Sequence, residues 1–448
     1  WPLAFPQTTI ANACRFNESD DARLGKSFSG AGNRRTFTQS VWIKRSKIGL
    51  ASNFGMYKNE GSGGGNNYLF VGYFDSNDRL YLARNQGATE VEVITTRKFR
   101  DVSAWYNIVI AVDTTQGTAS DRVKCWVNGV QETTFDTATY PSQNQQFDFN
   151  VAQQHYIGAN YNGTSANYGG YMTEFVFVDG TALDNTSFGI FNPVTNIWEP
   201  IDYVGTYGTN GFRLDFADSS ALGNDVSGND NDWTPTNLTS TDQSTDTCSN
   251  NFATLNPLEA EQNSPTFSDG NLTQTTPNSG GTSGRSTIEV PHSGVWYWEV
   301  KIVSTTGTIS DNVRLGISTG SSASDGQNLR YMSNGQYVNP SGASSYGASY
   351  AAGDIIGIKV DADSNQVTFY KNGASQGAIS YTMVAGETYK AFVGEYSNTI
   401  GCVYSMNFGN APFSISSGNN DPNGYGNFEY STDSGYALNT KNLAEFGG

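Results

Sequence analysis

One strand-loop-strand-turn unit occurs twice in this chain, as IVIAVDTTQGTASDRVKCWVNG from Ile108 to Gly129 and as IGIKVDADSNQVTFYKNG from Ile356 to Gly373. In each copy a strand of period two ends on an aspartate, Asp113 or Asp361, and a polar loop follows. A second strand then sets Val123, Cys125 and Val127, or Val367 and Phe369, on one face before Asn128-Gly129 or Asn372-Gly373. Two alternating runs joined by a polar loop spell an antiparallel hairpin, and Asn-Gly supplies the positive φ angles of a tight turn into a third strand. One unit used twice predicts two all-β bodies of related design.

Composition agrees. Of 448 residues only 15% are charged, whereas Gly (50), Tyr (25) and Phe (25) are plentiful. That balance favours strands and turns over charge-laced helices. The length suffices for two or three domains that each bury a core. A net charge of -17 repels phosphate backbones, and the densest basic cluster, Arg34-Arg35 with Lys44, Arg45 and Lys47, falls in and beside a predicted strand. Nucleic acid is therefore not an expected partner. An anionic glycan would need salt screening or a bridging cation; a neutral glycan or a protein receptor would not. No apolar run approaches the roughly 20 residues a bilayer demands, so membrane insertion is not expected. The four scattered cysteines, Cys14, Cys125, Cys248 and Cys402, have no C-x-x-C spacing and read as buried small hydrophobes of a protein assembled in a reducing compartment. The chain opens on Trp1, so a preceding portion is expected.

Along the chain, residues 1–20 read as an N-terminal arm, 21–213 as a first sandwich, 214–251 as a polar linker, 252–413 as a second sandwich and 414–448 as a tail, extended or in contact with another subunit. In RRTFTQSVWIKRS, Phe37, Gln39, Val41 and Ile43 alternate with Thr38, Ser40, Trp42 and Lys44, one row for a core and the other facing outward. A helical turn is expected between Asp184 and Trp198, capped by Thr186 or Ser187. Leu214, Phe216, Leu222 and Trp233 are the apolar residues by which the linker could fold onto its neighbours.

Literal motifs for catalysis meet obstacles. Gly316-Ile317-Ser318-Thr319-Gly320 spells G-x-S-x-G, but a nucleophile elbow needs a strand-to-helix turn and a histidine base. Only His155 and His292 exist. Glu90 and Glu92 share a strand face without a third carboxylate at the alternate position that a retaining glycanase pattern requires. No catalytic residue is assigned. Asp361-Ala362-Asp363-Ser364-Asn365 begins like a calcium loop, yet Gln366 and Asn372 replace the glycine and glutamate of an EF-hand, and a hairpin turn accounts for it. Asp75, Asn77 and Asp78, and separately Asp225, Asp230 and Asp232, offer oxygen ligands on loops, and a structural calcium at the first set stays open; no other cofactor is expected. The binding candidates are Tyr161, Asn162 and Tyr168 in one Gly-rich loop and Tyr337 and Tyr346 in another. Tyrosine among Asn, Ser and Gly suits sugar rings or a protein epitope, and equally suits packing on neighbouring loops.

RFNESDDARLGKSFSGAGNRRTFTQSVWIKRSKIG from Arg15, AVDTTQGTASDRVKCWVNGVQ from Ala111 and GTYGTNGFRLDFADSSALGNDVSGNDNDWTPTNL from Gly205 resemble a family of bacteriophage virion proteins that open with a concanavalin A-like (laminin G-like) jelly-roll domain. GVWYWEV, LGIS, GDIIGIKVD and VTFYKNG resemble the SPRY sandwich that often follows it. The resemblance implies two jelly-roll β-sandwiches on a virion-surface protein, typically a tail fibre or fibre-like adhesin assembled in the host cytoplasm. Its implied partners are other virion proteins and a host surface glycan or receptor, in a homo-oligomer with a trimer expected by analogy with fibres. A purely structural decoration protein and a polysaccharide depolymerase are the alternatives.

Overall fold

The computed structural model describes residues 8–58, 69–85, 91–147, 149–160, 166–260, 264–277, 281–307, 309, 312–320, 328–396 and 400–447. It divides into two compact units, Trp1–Ser249 and Asn250–Gly448, each built on two large, mainly antiparallel sheets. The all-β expectation holds: among the described residues the α-helix is Thr440–Phe446.

In the first unit the strand Thr36–Arg45 lies between Trp105–Asp113 and Gly170–Asp179 in an eight-stranded sheet. The facing sheet, also eight-stranded, runs from Phe135–Thr139 through Val91–Lys98, Arg79–Asn85, Leu69–Phe74, Ser52–Lys58, Gln154–Ile157 and Arg23–Ser27 to Thr234–Thr236. Phe37, Val41, Ile43, Ile108, Ile110 and Val112 from one sheet meet Phe54, Met56, Val71, Leu80 and Val93 from the other in a single core. Gln39, in the same inward row, is accommodated by a register shift in the facing strand, where its Oε1 accepts the Met56 N–H at 3.1 Å.

The opposite row, expected to face solvent, is covered. Ala13, Trp42, Trp105, Tyr171 and Trp198 form a second apolar layer, and Val109, Val176, Val178 and Phe188 a third. The cover is chain from beyond Asp179. The Thr38 hydroxyl donates to the Thr181 carbonyl at 2.8 Å, the Trp198 indole to Asn107 Oδ1 at 3.0 Å, and Lys44 meets Asp246 at 2.8 Å with both side chains buried. Residues 214–249, expected in a linker, thus belong to the first unit, with Leu214, Phe216, Leu222 and Trp233 in its core. The N-terminal arm supplies the strand Ala13–Phe16, paired on both sides. The helical turn near Asp184 is a 3-10 turn, Asn185–Ser187, and its cap is Asp184 rather than Thr186 or Ser187.

In the second unit Val295–Thr305 is flanked by Ile355–Asp361 and Cys402–Asn407, while Thr282–Glu289, Lys390–Glu395, Val313–Ser318 and Asn328–Met332 build the facing sheet. The tail is not a free arm. Phe428 and Ala437 pack with Phe252, Tyr297 and Tyr370, and buried Glu299 accepts the backbone N–H groups of Glu429 (3.0 Å) and Tyr430 (2.8 Å). Burial pushes the Glu299 carboxyl up against these hydrogen bonds, which pull it down.

Candidate functional site

Both repeated hairpins take the expected form, in the same register. Asn128 and Gly129 adopt φ 47° and 78°, and Asn372 and Gly373 adopt 49° and 80°. In each, the Asn side chain accepts the N–H of the residue opposite: Asn107 at 2.7 Å, Ile355 at 2.9 Å.

The first hairpin carries the candidate site. Along Val123–Val127 the valines and Cys125 are buried, which leaves Lys124 and Trp126 half-buried on the other face. Trp126 packs at its base against the Val109 and Phe188 layer. Above it opens a groove of about 350 Å³ lined by Trp126, Lys124, Asp113, Gln116, Asp121 and Asp184, among others. The loop between the strands is fixed by Arg122, whose guanidinium donates to the carbonyls of Gln116, Gly117 and Pro141, each at 2.8 Å. Asp113 accepts from Thr115 N–H (3.0 Å), Thr115 hydroxyl (2.6 Å) and Gln116 amide (2.5 Å). Partial burial raises the Asp113 carboxyl, but those donors outweigh it and hold the group below the ordinary carboxylate value. Asp121 pairs with Lys124 at 3.0 Å, and Asp184 accepts from the Thr186 N–H and hydroxyl at 3.0 and 2.5 Å. An aromatic face with acceptor oxygens around it suits the apolar face and hydroxyls of a sugar ring. Asp113, held ionised, is unsuited to give a proton to a leaving group, which requires a raised carboxyl.

The sequence reading missed Trp126, although the signal was present: a large aromatic stands at the out-of-phase position of a cleanly alternating strand. Of the residues it chose, Tyr161 and Asn162 lie outside the described residues. Tyr168 is fully buried, its hydroxyl donating to the Lys44 carbonyl at 3.0 Å, so it belongs to the core and not to a binding loop. Tyr337 and Tyr346 do come together in the second unit, rings edge to face at 5.9 Å. Tyr346 is committed inward, however: its hydroxyl donates to the Gly377 carbonyl and accepts the Phe369 N–H at 3.2 Å.

The calcium candidates are taken by donors. Asp75 accepts the Asn77 and Arg79 N–H groups, each at 2.9 Å, and the Arg79 guanidinium at 2.7 Å; Asp78 meets Gly49 N–H (2.7 Å), Arg45 (3.0 Å) and Arg100 (3.0 Å). Asn77 is exposed. A cation here would have to displace guanidinium groups. Asp225 likewise accepts from Arg213, Ser227 and Asn231 N–H groups, each at 2.9 Å. Among the described residues no group of three or more His, Cys, Asp and Glu is placed to hold a metal. Ser318 lies on the strand Val313–Ser318, donates to the Gly320 carbonyl at 2.8 Å and accepts from Arg330 at 2.6 Å. His155 is a core residue between Phe28 (5.1 Å) and Phe149 (5.6 Å), and His292 Nε2 sits 2.8 Å from the Glu387 carbonyl. Glu90 lies outside the described residues. The four cysteines are unpaired, with Cys14, Cys125 and Cys402 buried.

Residues 17–185 match the family model of the concanavalin A-like lectin/glucanases superfamily, and residues 295–411 match that of the SPRY domain. The chain carries a concanavalin A-like domain followed by a SPRY domain. Among solved structures it is similar to the SPRY domain of human HERC1 (19% identity, 34% of this chain and 96% of that one, TM-score 0.30). It is also similar to a candidate carbohydrate-binding protein from Bacteroides ovatus (15%, 52% and 60%, 0.34) and to a SAP-like pentraxin from Limulus polyphemus (14%, 39% and 78%, 0.29). No curated protein matches the chain.

Proposed function

We propose that this chain is a non-catalytic surface protein of a bacteriophage particle, a tail fibre or fibre-like adhesin, whose first domain takes up sugar rings of a host envelope glycan in the Trp126 groove. The observation that carries the reading is Trp126 itself, turned out of an otherwise regular alternating strand into a groove rimmed by carboxylate and amide groups. The virion assignment rests on the phrase-level resemblance of residues from Arg15, Ala111 and Gly205 to phage particle proteins. Other virion proteins and further copies of the chain are its proposed neighbours, and the virion surface its proposed location.

Adsorption competition is the test. Purified protein added to host cells ahead of phage should lower adsorption, and Trp126→Ala should abolish that competition. Equal competition by the variant removes the groove from the account. No competition by either protein, with looser particles when the gene is deleted, points to a decoration role instead.

A further inference from the structure

We infer that a second pocket, beside the Trp126 groove, takes an oxyanionic substituent of a sugar, a carboxylate or a sulfate ester. The sugar part rests on the glycan reading above; the anion part stands on the pocket. About 390 Å³ in volume, it is lined by Asn33, Arg34, Arg35, Thr36, Thr115 and Gln146, and no carboxylate is among its lining residues. Thr115 lines this pocket and Gln116, the next residue of the same hairpin loop, lines the groove.

Arg35 is the anomaly. Its backbone is pinned, the N–H donating to Asn33 Oδ1 at 2.9 Å and the carbonyl accepting from Thr114 at 2.9 Å. Its guanidinium makes no hydrogen bond or ion pair among the described residues, and its Nε is buried without a partner. Every other arginine of the first unit whose side chain is described donates to a carbonyl or forms an ion pair with a carboxylate. Arg34 next door is committed, with Nε on the Phe147 carbonyl at 2.6 Å and Nη1 on Gln146 Oε1 at 3.2 Å. Two acids of the neighbouring strands are already engaged: Asp113, paired in register with Thr36, receives Thr115 and Gln116 donors, and Asp179 receives the Asn33 N–H at 2.7 Å. In a chain with 42 acidic and 25 basic residues, a guanidinium left with neither a carbonyl nor a carboxylate among the described residues faces a polar pocket.

A planar fork of N–H donors fits a carboxylate or sulfate, and the Asn33 and Gln146 side-chain amides that share the lining can add neutral donors. The overall acidic field opposes such a ligand at long range but is screened within about 10 Å at 0.1 M salt, whereas contact with Arg35 is not. An anionic glycan therefore needs no bridging cation here, salt screening being the other route that the net charge leaves it.

Ligand-observed NMR titrations of the full chain with glucose, glucuronate, glucose 6-sulfate and inorganic sulfate test this. Glucuronate or glucose 6-sulfate should bind about tenfold more tightly than glucose, and whichever does so identifies the anion. Arg35→Gln should erase that advantage, leave glucose binding unchanged and leave the unfolding temperature unchanged. Trp126→Ala should weaken all three sugars. If glucose binds through Trp126 but the anionic sugars gain nothing, or if Arg35→Gln retains their advantage, the inference falls and the glycan reading stands. Binding of inorganic sulfate alone overturns the sugar ligand, and no binding of any sugar overturns both.

Discussion

Lys44 shows what a single residue's neighbourhood can hide. In the sequence it belongs to the densest basic cluster and to the row expected outward, yet it is buried against Asp246, 202 residues further on, and lies 5.7 Å from the Tyr171 ring centroid. Asp246 also accepts the Trp105 indole N–H at 3.0 Å. Removing one partner strands a buried charge, so Asp246→Ala should destabilise the first unit by about 3–5 kcal/mol, and the double change Lys44→Met with Asp246→Leu should recover most of that, read by denaturant unfolding. Nothing local in the sequence announces such a pair, because its partner sits in a stretch too polar to signal burial. Asp113 was legible as the end of a strand, and its chemistry follows from its donors. Its carboxyl is depressed when folded, so its contribution is complete above the unfolded value of about 3.9 and is lost as pH falls through the lower folded value. Sugar binding in the groove should thus hold steady from neutral pH down to the ordinary carboxylate value of about 3.9 and fail only below it, as a pH series of binding isotherms will show.

At the scale of elements, the long alternating strands and both Asn-Gly turns were legible because period two and positive φ leave local marks. Gly129→Ala and Gly373→Ala should each cost more than about 1 kcal/mol, the first more, since an added Cβ would stand 2.3 Å from the Trp198 ring against 2.7 Å from Tyr430. Unfolding midpoints of the two variants decide the order. The covering layers were not legible: Trp198–Pro200, Phe212–Leu214 and Gln243–Ser244 are too short for any periodicity to appear. Glu299 sits inside the clearest strand of the second unit but acts as the clasp for the tail, also accepting Asn407 Nδ2 at 2.9 Å and the Tyr297 hydroxyl at 3.2 Å. Glu299→Gln turns an amide toward those donors and should weaken the clasp by about 1–3 kcal/mol, exposing residues 414–447 to limited proteolysis before the sandwich unfolds.

For the molecule as a whole, composition and repetition were enough to foresee two sandwich bodies. The site was less legible than the fold. Tyrosine-rich loops stand out in the sequence because Tyr among Asn, Ser and Gly offers amphipathic contact area with adaptable hydrogen-bond groups, whereas the groove depends on one tryptophan's phase in a strand and on chain that returns from residues 182–184 to close it. Adhesion without bond cleavage is the central claim. It is tested most directly by titrating wild-type protein and Trp126→Ala with a panel of bacterial envelope polysaccharides while assaying the same mixtures for new reducing ends. The account expects at least one polymer to bind the wild type, affinity to fall about tenfold or more in the variant, and no reducing ends to appear; equal binding by the variant, or polymer shortened by the wild type, would contradict it.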